Sequence, residues 1–128
     1  MSYYQDVVKF HLEVLKRRPA TSPTLSYVTW ANRMRLITEE FAETAKAFAL
    51  EDIYGVADGL VDMTWVVLGS AVEFGLPFDE LWDAVRKSNM AKNGGKLDPS
   101  GKLLKPEGWT PPDIESIILR ALDIRRFR

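Results

Sequence analysis

Apolar residues recur every three or four positions through most of the chain, which is the spacing of amphipathic α-helices. Between the fourth and last predicted helices, residues 93–112 are rich in Gly, Pro and Lys, and Lys96-Leu97 and Lys102-Leu103 flank a turn and could pair as a small hairpin. The pattern predicts an all-α, bundle-like fold of four to five helices with a Gly/Pro/Lys-rich loop before the last one. The predicted helices cover residues 3–17, 26–50, 52–74 and 78–90, with a short last helix from Pro111-Pro112-Asp113.

The two longest predicted helices are apolar on more than one side. We expect the second to bury a continuous stripe and the third to be covered nearly all round from Met63 to Val72, where it carries no charge. Glu40 and Glu43 fall on a different face of the second helix, off the face of Lys46, and are expected to look into protein. The stripe consists of Trp30, Met34, Ile37, Phe41, Ala45 and Phe48.

Length and composition narrow the class of protein. With 128 residues we expect a single domain over 1–128. A net charge of -1 gives no general attraction to a nucleic acid polymer or an anionic membrane, and the absence of cysteine excludes disulfides and thiolate zinc sites. The start of the chain does not resemble a signal peptide, and the longest uncharged run is about half of the ~20 residues that cross a bilayer. The expected location is cytoplasmic.

Two acidic clusters stand out in these helices: Glu39, Glu40 and Glu43 in the second, Asp58 and Asp62 in the third. Residues three or four apart share a helix face, so each cluster gathers like charges that repel unless a cation lies between them. Two consecutive helices with a short connection pack antiparallel, so the clusters should face each other. Oxygen ligands suit a hard divalent ion, Mg²⁺ with Mn²⁺ as a possible substitute.

Other interpretations of the acids were weighed. They could be surface residues or partners of Arg33, Arg35 and Lys46. A di-iron site would need Glu-x-x-His on two helices, and the one histidine of the sequence, His11, lies in the first helix and is expected to be structural. The joint presence of both clusters in apolar surroundings favours a functional site.

Positive and amide side chains follow the fourth helix and suit a polyphosphate. They are Lys87, Asn89, Lys92, Lys96, Lys102 and Lys105. Trp30 and Trp109 could stack a nucleobase, although Trp30 also fits the core.

Four segments in this order resemble the all-α nucleoside triphosphate pyrophosphohydrolases, the MazG-like superfamily that includes dimeric dUTPases and phosphoribosyl-ATP pyrophosphohydrolases. The resemblance covers roughly residues 26–115. The segments are Leu36-Ile37-Thr38-Glu39-Glu40-Phe41-Ala42-Glu43, Ala57-Asp58-Gly59-Leu60-Val61-Asp62, Ser88-Asn89-Met90-Ala91-Lys92, and Lys105-Pro106-Glu107-Gly108-Trp109-Thr110-Pro111-Pro112-Asp113-Ile114.

The resemblance implies the all-α NTP pyrophosphatase fold, Mg²⁺-dependent hydrolysis of a (d)NTP to the monophosphate and diphosphate, house-cleaning of nucleotide pools, and a homodimer or dimer of dimers. It implies metal binding by Glu40, Glu43 and Asp62, with Asp58 as a further ligand. Glu39 would bind another metal or orient the attacking water, and Asn89, Lys92 and Lys105 would contact substrate.

The sequence departs from the family at one position, because the usual second motif, Glu-x-x-Asp, would place an acid at Gly59. This departure keeps open the alternative of a non-catalytic helical module that binds a nucleotide or a protein.

Overall fold

The computed structural model describes residues 2–126, and the side chains as far as residue 122. Within this range the chain forms five α-helices and no β-strand, which confirms the all-α prediction. The helices are α1 (Tyr3–Glu13), α2 (Tyr27–Ala49), α3 (Ile53–Glu73), α4 (Phe78–Met90) and α5 (Ile114–Arg126).

Side-chain caps explain where the first three helices begin. The hydroxyl of Ser2 accepts a hydrogen bond from the N–H of Gln5, and the Gln5 side chain accepts from the N–H of Ser2, a reciprocal capping box. The side chains of Ser26 and Asp52 cap α2 and α3 by accepting hydrogen bonds from the N–H groups of Thr29 and Gly55. These caps satisfy backbone donors that have no partner inside the helix.

Helix α1 ends earlier than the predicted residue 17. Lys16, beyond the end of the helix, has a positive φ of 57°. The N–H of Arg17 then donates back to the carbonyl of His11 at 2.8 Å, which closes the last turn. A residue with positive φ cannot continue a right-handed helix, so the apolar spacing up to residue 17 overestimated its length.

The chain divides into two compact units, Met1–Leu76 and Pro77–Arg128. In the first unit α3 packs against both α1 and α2. Its core includes Val7 of α1, Ala47 of α2, and Val56, Leu68 and Val72 of α3. The single domain over residues 1–128 stays a prediction.

The apolar stripe of α2 is not the face that packs on α3. Phe41 is 63% exposed, and Trp30, Met34 and Phe48 are also exposed in the single chain. The buried positions of α2 are instead Arg33, Thr44 and Ala47. Our assignment of the stripe to the core of this chain was wrong, because hydrophobic spacing marks a face that avoids water without identifying what covers it.

Helix α3 is also less covered than expected. Its C-terminal half from Leu68 to Val72 is buried, but Trp65 and Val67 are exposed. By length and composition alone α3 could cross a membrane, since its most apolar 18-residue stretch has a mean hydropathy of 1.3. In the structure, 39% of that stretch is buried. A single such helix is equally typical of the core of a soluble protein, and this one carries Asp58 and Asp62 near its middle.

In the second unit, α4 and α5 contact each other and are joined by Glu80 and Arg120, whose Oε1 and Nη2 lie 2.7 Å apart. The intervening loop contains the predicted hairpin, with an antiparallel bridge between Leu97 and Leu103. Its turn is held by Asp98, whose Oδ1 accepts from the N–H groups of Ser100 and Lys102.

Candidate functional site

The acids of α2 and α3 meet at one depression of about 230 Å³ on the first unit. Glu43 contributes from α2, and Asp58 and Asp62 contribute from α3. The turn between the helices spans only residues 50–52, and Asp52 closes it by accepting a hydrogen bond from the N–H of Gly55. This tight connection brings Glu43 of α2 to Asp58 and Asp62 of α3, whereas Glu39 and Glu40 do not line the depression.

Two further residues at this depression were missed or misplaced by sequence reasoning. Lys46 lies at its edge, although we had placed this residue off the glutamate face. Its spacing of three from Glu43 was the signal that could have found it. Asp52 lines the depression as well as capping α3, a position that its turn location did not reveal.

Gly59 is where the helices approach most closely. A Cβ built at this position would lie 2.2 Å from Oγ1 of Thr44 and 2.9 Å from its Cβ, closer than real side-chain atoms come. Gly59 and Thr44 are both buried. An acidic side chain therefore does not fit at position 59 without displacing Thr44, and Asp58 lines the depression together with Asp62. The departure from the family motif has a packing reason.

Glu40 is the most perturbed acid of the cluster. Its Oε2 is buried and has no hydrogen-bond partner within the described residues. The pKa of Glu40 is raised, first by burial of the carboxylate and then by the negative charges of Glu43, Asp62, Asp58 and Glu39. The four other predicted acids thus all act electrostatically on Glu40, which also carries the unpaired buried acceptor.

Glu39 has a different environment from its neighbour. Its Oε1 lies 3.0 Å from Nη1 of Arg35, and the side chain is 53% exposed. Such a surface pair on one helix is worth only a few tenths of a kcal/mol, about 0.3–0.5. Glu39 is therefore a surface acid paired with Arg35, as one of the alternative interpretations of the sequence described it. Within the part of the chain that the structure describes, Glu40, Glu43, Asp58 and Asp62 form no salt bridge.

The donor set can be tested for its fit to a metal ion. No group of three or more Asp, Glu or His side chains within residues 2–122 is already arranged to hold an ion. The chemistry of the donors nevertheless fits a hard cation, since all are carboxylates, and the orphaned Oε2 of Glu40 is an acceptor without a donor. Glu40, Glu43, Asp58 and Asp62 would hold Mg²⁺ after rotation of their side chains.

The predicted substrate residues of the second unit cluster around one aromatic ring. The ammonium groups of Lys92 and Lys105 lie 5.1 Å and 4.9 Å from the ring centroid of Trp109. Lys92 also donates to Oδ1 of Asn89, and the indole N–H of Trp109 donates to the carbonyl of Ser88 at 2.7 Å. The structure therefore brings Asn89, Lys92 and Lys105 together.

Trp30 lies elsewhere, on α2 of the first unit. It is 45% exposed and its ring is tilted against Tyr27, with centroids 5.8 Å apart. It does not line the acidic depression. His11 is buried and contacts Glu73 rather than the acidic clusters, in agreement with the structural role expected for it.

The sequence matches a known protein family. A sequence model of the phosphoribosyl-ATP pyrophosphohydrolase family matches residues 7–89, which is more than half of the chain and includes both acidic clusters. No curated protein matches the chain.

Proposed function

The chain belongs to the phosphoribosyl-ATP pyrophosphohydrolase family, and from this premise we propose that it hydrolyses a nucleoside triphosphate to the monophosphate and diphosphate with the help of Mg²⁺. The family indicates a pyrophosphohydrolase that acts on a nucleotide-like substrate. The choice of a (d)NTP, the dependence on Mg²⁺ and a role in clearing unwanted nucleotides from the cytoplasm are our proposals.

One observation supports the proposal most strongly. Glu43, Asp58 and Asp62 line a single depression, and the neighbouring Glu40 has a buried oxygen without a partner and a raised pKa caused by burial and by these acids. Repulsion between these acids lowers the stability of the fold. An unsatisfied buried acceptor lowers it further, by about 1–3 kcal/mol. Perturbed acids of this kind are typical of functional sites.

The proposed division of roles follows the family resemblance of the two acidic segments. Glu40, Glu43, Asp58 and Asp62 hold the cation, which when bound would neutralise phosphate oxygens and lower the pKa of a coordinated water. Glu39 orients the attacking water or binds a further ion after it releases Arg35. Proton transfer from that water is assigned to the glutamates of α2.

Substrate contacts are proposed for the second unit. Asn89, Lys92 and Lys105 bind phosphate oxygens, because they gather positive charge that no acid neutralises within the described residues. Trp109 holds the two lysine ammonium groups beside its ring, so we assign it to positioning these lysines and not to stacking a base. Trp30 stays a proposed substrate-binding residue.

We propose a homodimer or a dimer of dimers as the working form. The exposed stripe of α2 and the exposed side of α3 would cover each other between subunits. Tyr54 and Val61 of α3 are 85% and 66% exposed, and Phe41 of α2 is 63% exposed. Apolar surface of this extent on neighbouring helices is typical of an interface between subunits.

The test is release of diphosphate from a panel of nucleotides, including phosphoribosyl-ATP, in the presence of Mg²⁺, of Mn²⁺, or of EDTA. We expect turnover of at least one nucleotide with a divalent ion, and none with EDTA. Glu43→Gln should abolish turnover by removing one ligand charge. Glu13→Gln, an exposed glutamate of α1, is the matched control and should keep full activity.

Two outcomes would contradict the proposal. Turnover that continues in EDTA would contradict the proposed dependence on a metal ion. Absence of turnover with every nucleotide, with binding retained, would favour the non-catalytic module.

A further inference from the structure

A second polar pocket, of about 320 Å³, lies beside α2 on the first unit and is distinct from the acidic depression. It is lined by the charged residues Arg17, Arg33 and Glu73 together with Thr29 and Asn32. Arg33 and Glu40 are two helical turns apart on α2, which separates the two sites by about 10 Å along the helix axis. None of the predicted site residues belongs to this pocket.

Arg33 is an unusual residue at this place, since it is only 8% exposed. Its Nε donates to Oγ of Ser70 at 3.0 Å and its Nη2 donates to the carbonyl of Val66 at 2.7 Å. The guanidinium lies against the backbone of α3 at Gly69, where a Cβ would be 2.6 Å from Nη2. The Nη1 group makes no hydrogen bond within the described residues, so part of a buried cation still has donors to offer.

The charges around Arg33 do not balance. Glu73 is the one acid of the lining, and its Oε1 is shared between Nη1 of Arg17 at 3.3 Å and Nδ1 of His11 at 3.4 Å. The pKa of His11 is lowered, mainly by burial, which keeps the imidazole neutral at pH 7. Two arginine charges therefore face one carboxylate, and the lining keeps an excess of positive charge.

The neutral groups of the lining are also donors. Ser26 donates its hydroxyl hydrogen to Oγ1 of Thr29, which leaves the hydroxyl hydrogen of Thr29 available. Oδ1 of Asn32 accepts from Nη2 of Arg35 at 3.4 Å, which leaves the amide N–H groups of Asn32 available. The pocket thus presents donors from Arg33, Thr29 and Asn32, and Oε1 of Glu73, the one carboxylate in its lining, is already paired.

We propose that this pocket binds a phosphate group, with Arg33 at its base, Arg17 at its rim, and Thr29 and Asn32 completing the hydrogen bonds. The Nη1 group of Arg33 and the guanidinium of Arg17 can donate charge-assisted hydrogen bonds to phosphate oxygens. A phosphate carries more oxygens and more negative charge than acetate, so it can use more of these donors. The phosphate could be inorganic or part of a nucleotide, which is the same chemistry for the pocket.

The experiment is calorimetric titration of the full chain with inorganic phosphate, diphosphate, a nucleoside monophosphate and, as a carboxylate control, acetate. EDTA is present throughout, so no metal ion at the acidic depression contributes to the binding. Phosphate bound by Lys92 and Lys105 is distinguished by the lysine double variant described below. We expect saturable binding of inorganic phosphate or the monophosphate. Asn32→Asp should weaken it by about tenfold or more, since it replaces an amide donor by a negative charge. The exposed position of Asn32 makes this variant safe for folding.

Two controls separate this pocket from other sources of affinity. Gln5→Glu makes the same amide-to-acid change on α1, outside the lining, and should bind phosphate like the unchanged protein. Lys92→Met combined with Lys105→Met removes the phosphate contacts proposed for the second unit, and the binding that Asn32→Asp weakens should persist in this double variant. As an independent readout, phosphate should shift the NMR amide signals of Gly69 and Ser70, which contact Arg33.

The proposal is overturned by absence of saturable phosphate binding, or by acetate that binds as tightly as phosphate. It is also overturned if Asn32→Asp binds like the unchanged protein, or if the lysine double variant abolishes binding. Selective binding of the nucleoside monophosphate would support the pocket and identify a nucleotide as the source of the phosphate.

Discussion

Adjacent glutamates of α2 should respond in opposite directions to the same substitution. Glu40→Gln removes a carboxylate whose Oε2 is buried without a partner and whose pKa is raised by burial and by four neighbouring acids. Glu39→Gln removes an exposed carboxylate that pairs with Arg35. In metal-free protein at pH 7.5 we expect Glu40→Gln to stabilise the fold and Glu39→Gln to destabilise it slightly.

The magnitudes follow from the two environments. Glu40→Gln keeps a polar atom at the buried position but removes the negative charge, so its gain comes from relief of repulsion by four acids. At about 0.2–0.5 kcal/mol for each like-charge pair, this adds about 1–2 kcal/mol to the free energy of unfolding. An i,i+4 surface pair is worth about 0.3–0.5 kcal/mol. In a chain of this size each kcal/mol shifts Tm by roughly 4 °C, so Glu40→Gln should raise Tm clearly while Glu39→Gln lowers it by about 1–2 °C.

The pH dependence gives the sign of the same effect. Because the folded protein holds the Glu40 proton more tightly than the unfolded chain, this residue adds stability as pH falls through its raised pKa, and the gain is complete below the ordinary value of 4.5. His11 acts oppositely, since its pKa is lowered from 6.5 and stability is lost as pH falls below that value. His11 contributes equally to both proteins, so the difference in the free energy of unfolding between the unchanged protein and Glu40→Gln reports on Glu40 alone.

The assay is thermal and urea unfolding at one protein concentration from pH 5 to pH 8, with and without Mg²⁺. One concentration is needed because subunit association adds to apparent stability. Mg²⁺ should stabilise the unchanged protein and have little effect on Glu40→Gln. Lower stability of Glu40→Gln than of the unchanged protein in EDTA would refute the view that this acid is a strained group held for a cation.

Three further predictions concern packing, assembly and the lysine cluster. Gly59→Glu, which restores the family's acid, should lower the free energy of unfolding by about 1–3 kcal/mol without raising activity, because its Cβ would collide with the side chain of Thr44; urea unfolding measures this. Phe41→Glu should yield a smaller species in light scattering, because it places a charge on the exposed stripe. Trp109→Leu should raise KM more than it lowers kcat, because both lysine contacts are lost.

Each of these has a control and a contrary result. For Gly59→Glu the control is Ala57→Glu, which adds the same charge at an exposed position beside Asp58 and should fold normally. A Gly59→Glu protein that is stable and more active would contradict the packing explanation. Lys9→Glu on the exposed side of α1 is the control for assembly, and an unchanged mass of Phe41→Glu would remove the stripe from the interface. Unchanged KM in Trp109→Leu would leave the tryptophan without a positioning role.

Local pattern predicted the helices and the meeting of the acids correctly. Caps at Ser2, Ser26 and Asp52 and the three-to-four spacing of apolar residues are encoded within a few residues of chain. The two acidic clusters met because the turn between α2 and α3 is too short for any other arrangement. The small hairpin at Asp98 followed from turn chemistry for the same reason.

The sequence by itself determined which segments are helical, where they begin, and that carboxylates of two neighbouring helices converge, since all of this depends on interactions between residues close in the chain. Only the tertiary structure decided which face of α2 is covered, because the choice between the Phe41 side and the Thr44 side depends on Gly59 admitting a close approach. It also decided that Arg33 and Glu73, forty residues apart, share one pocket. Contacts between distant residues depend on how whole helices pack, and the apolar periodicity of one helix does not identify the helix that packs against it.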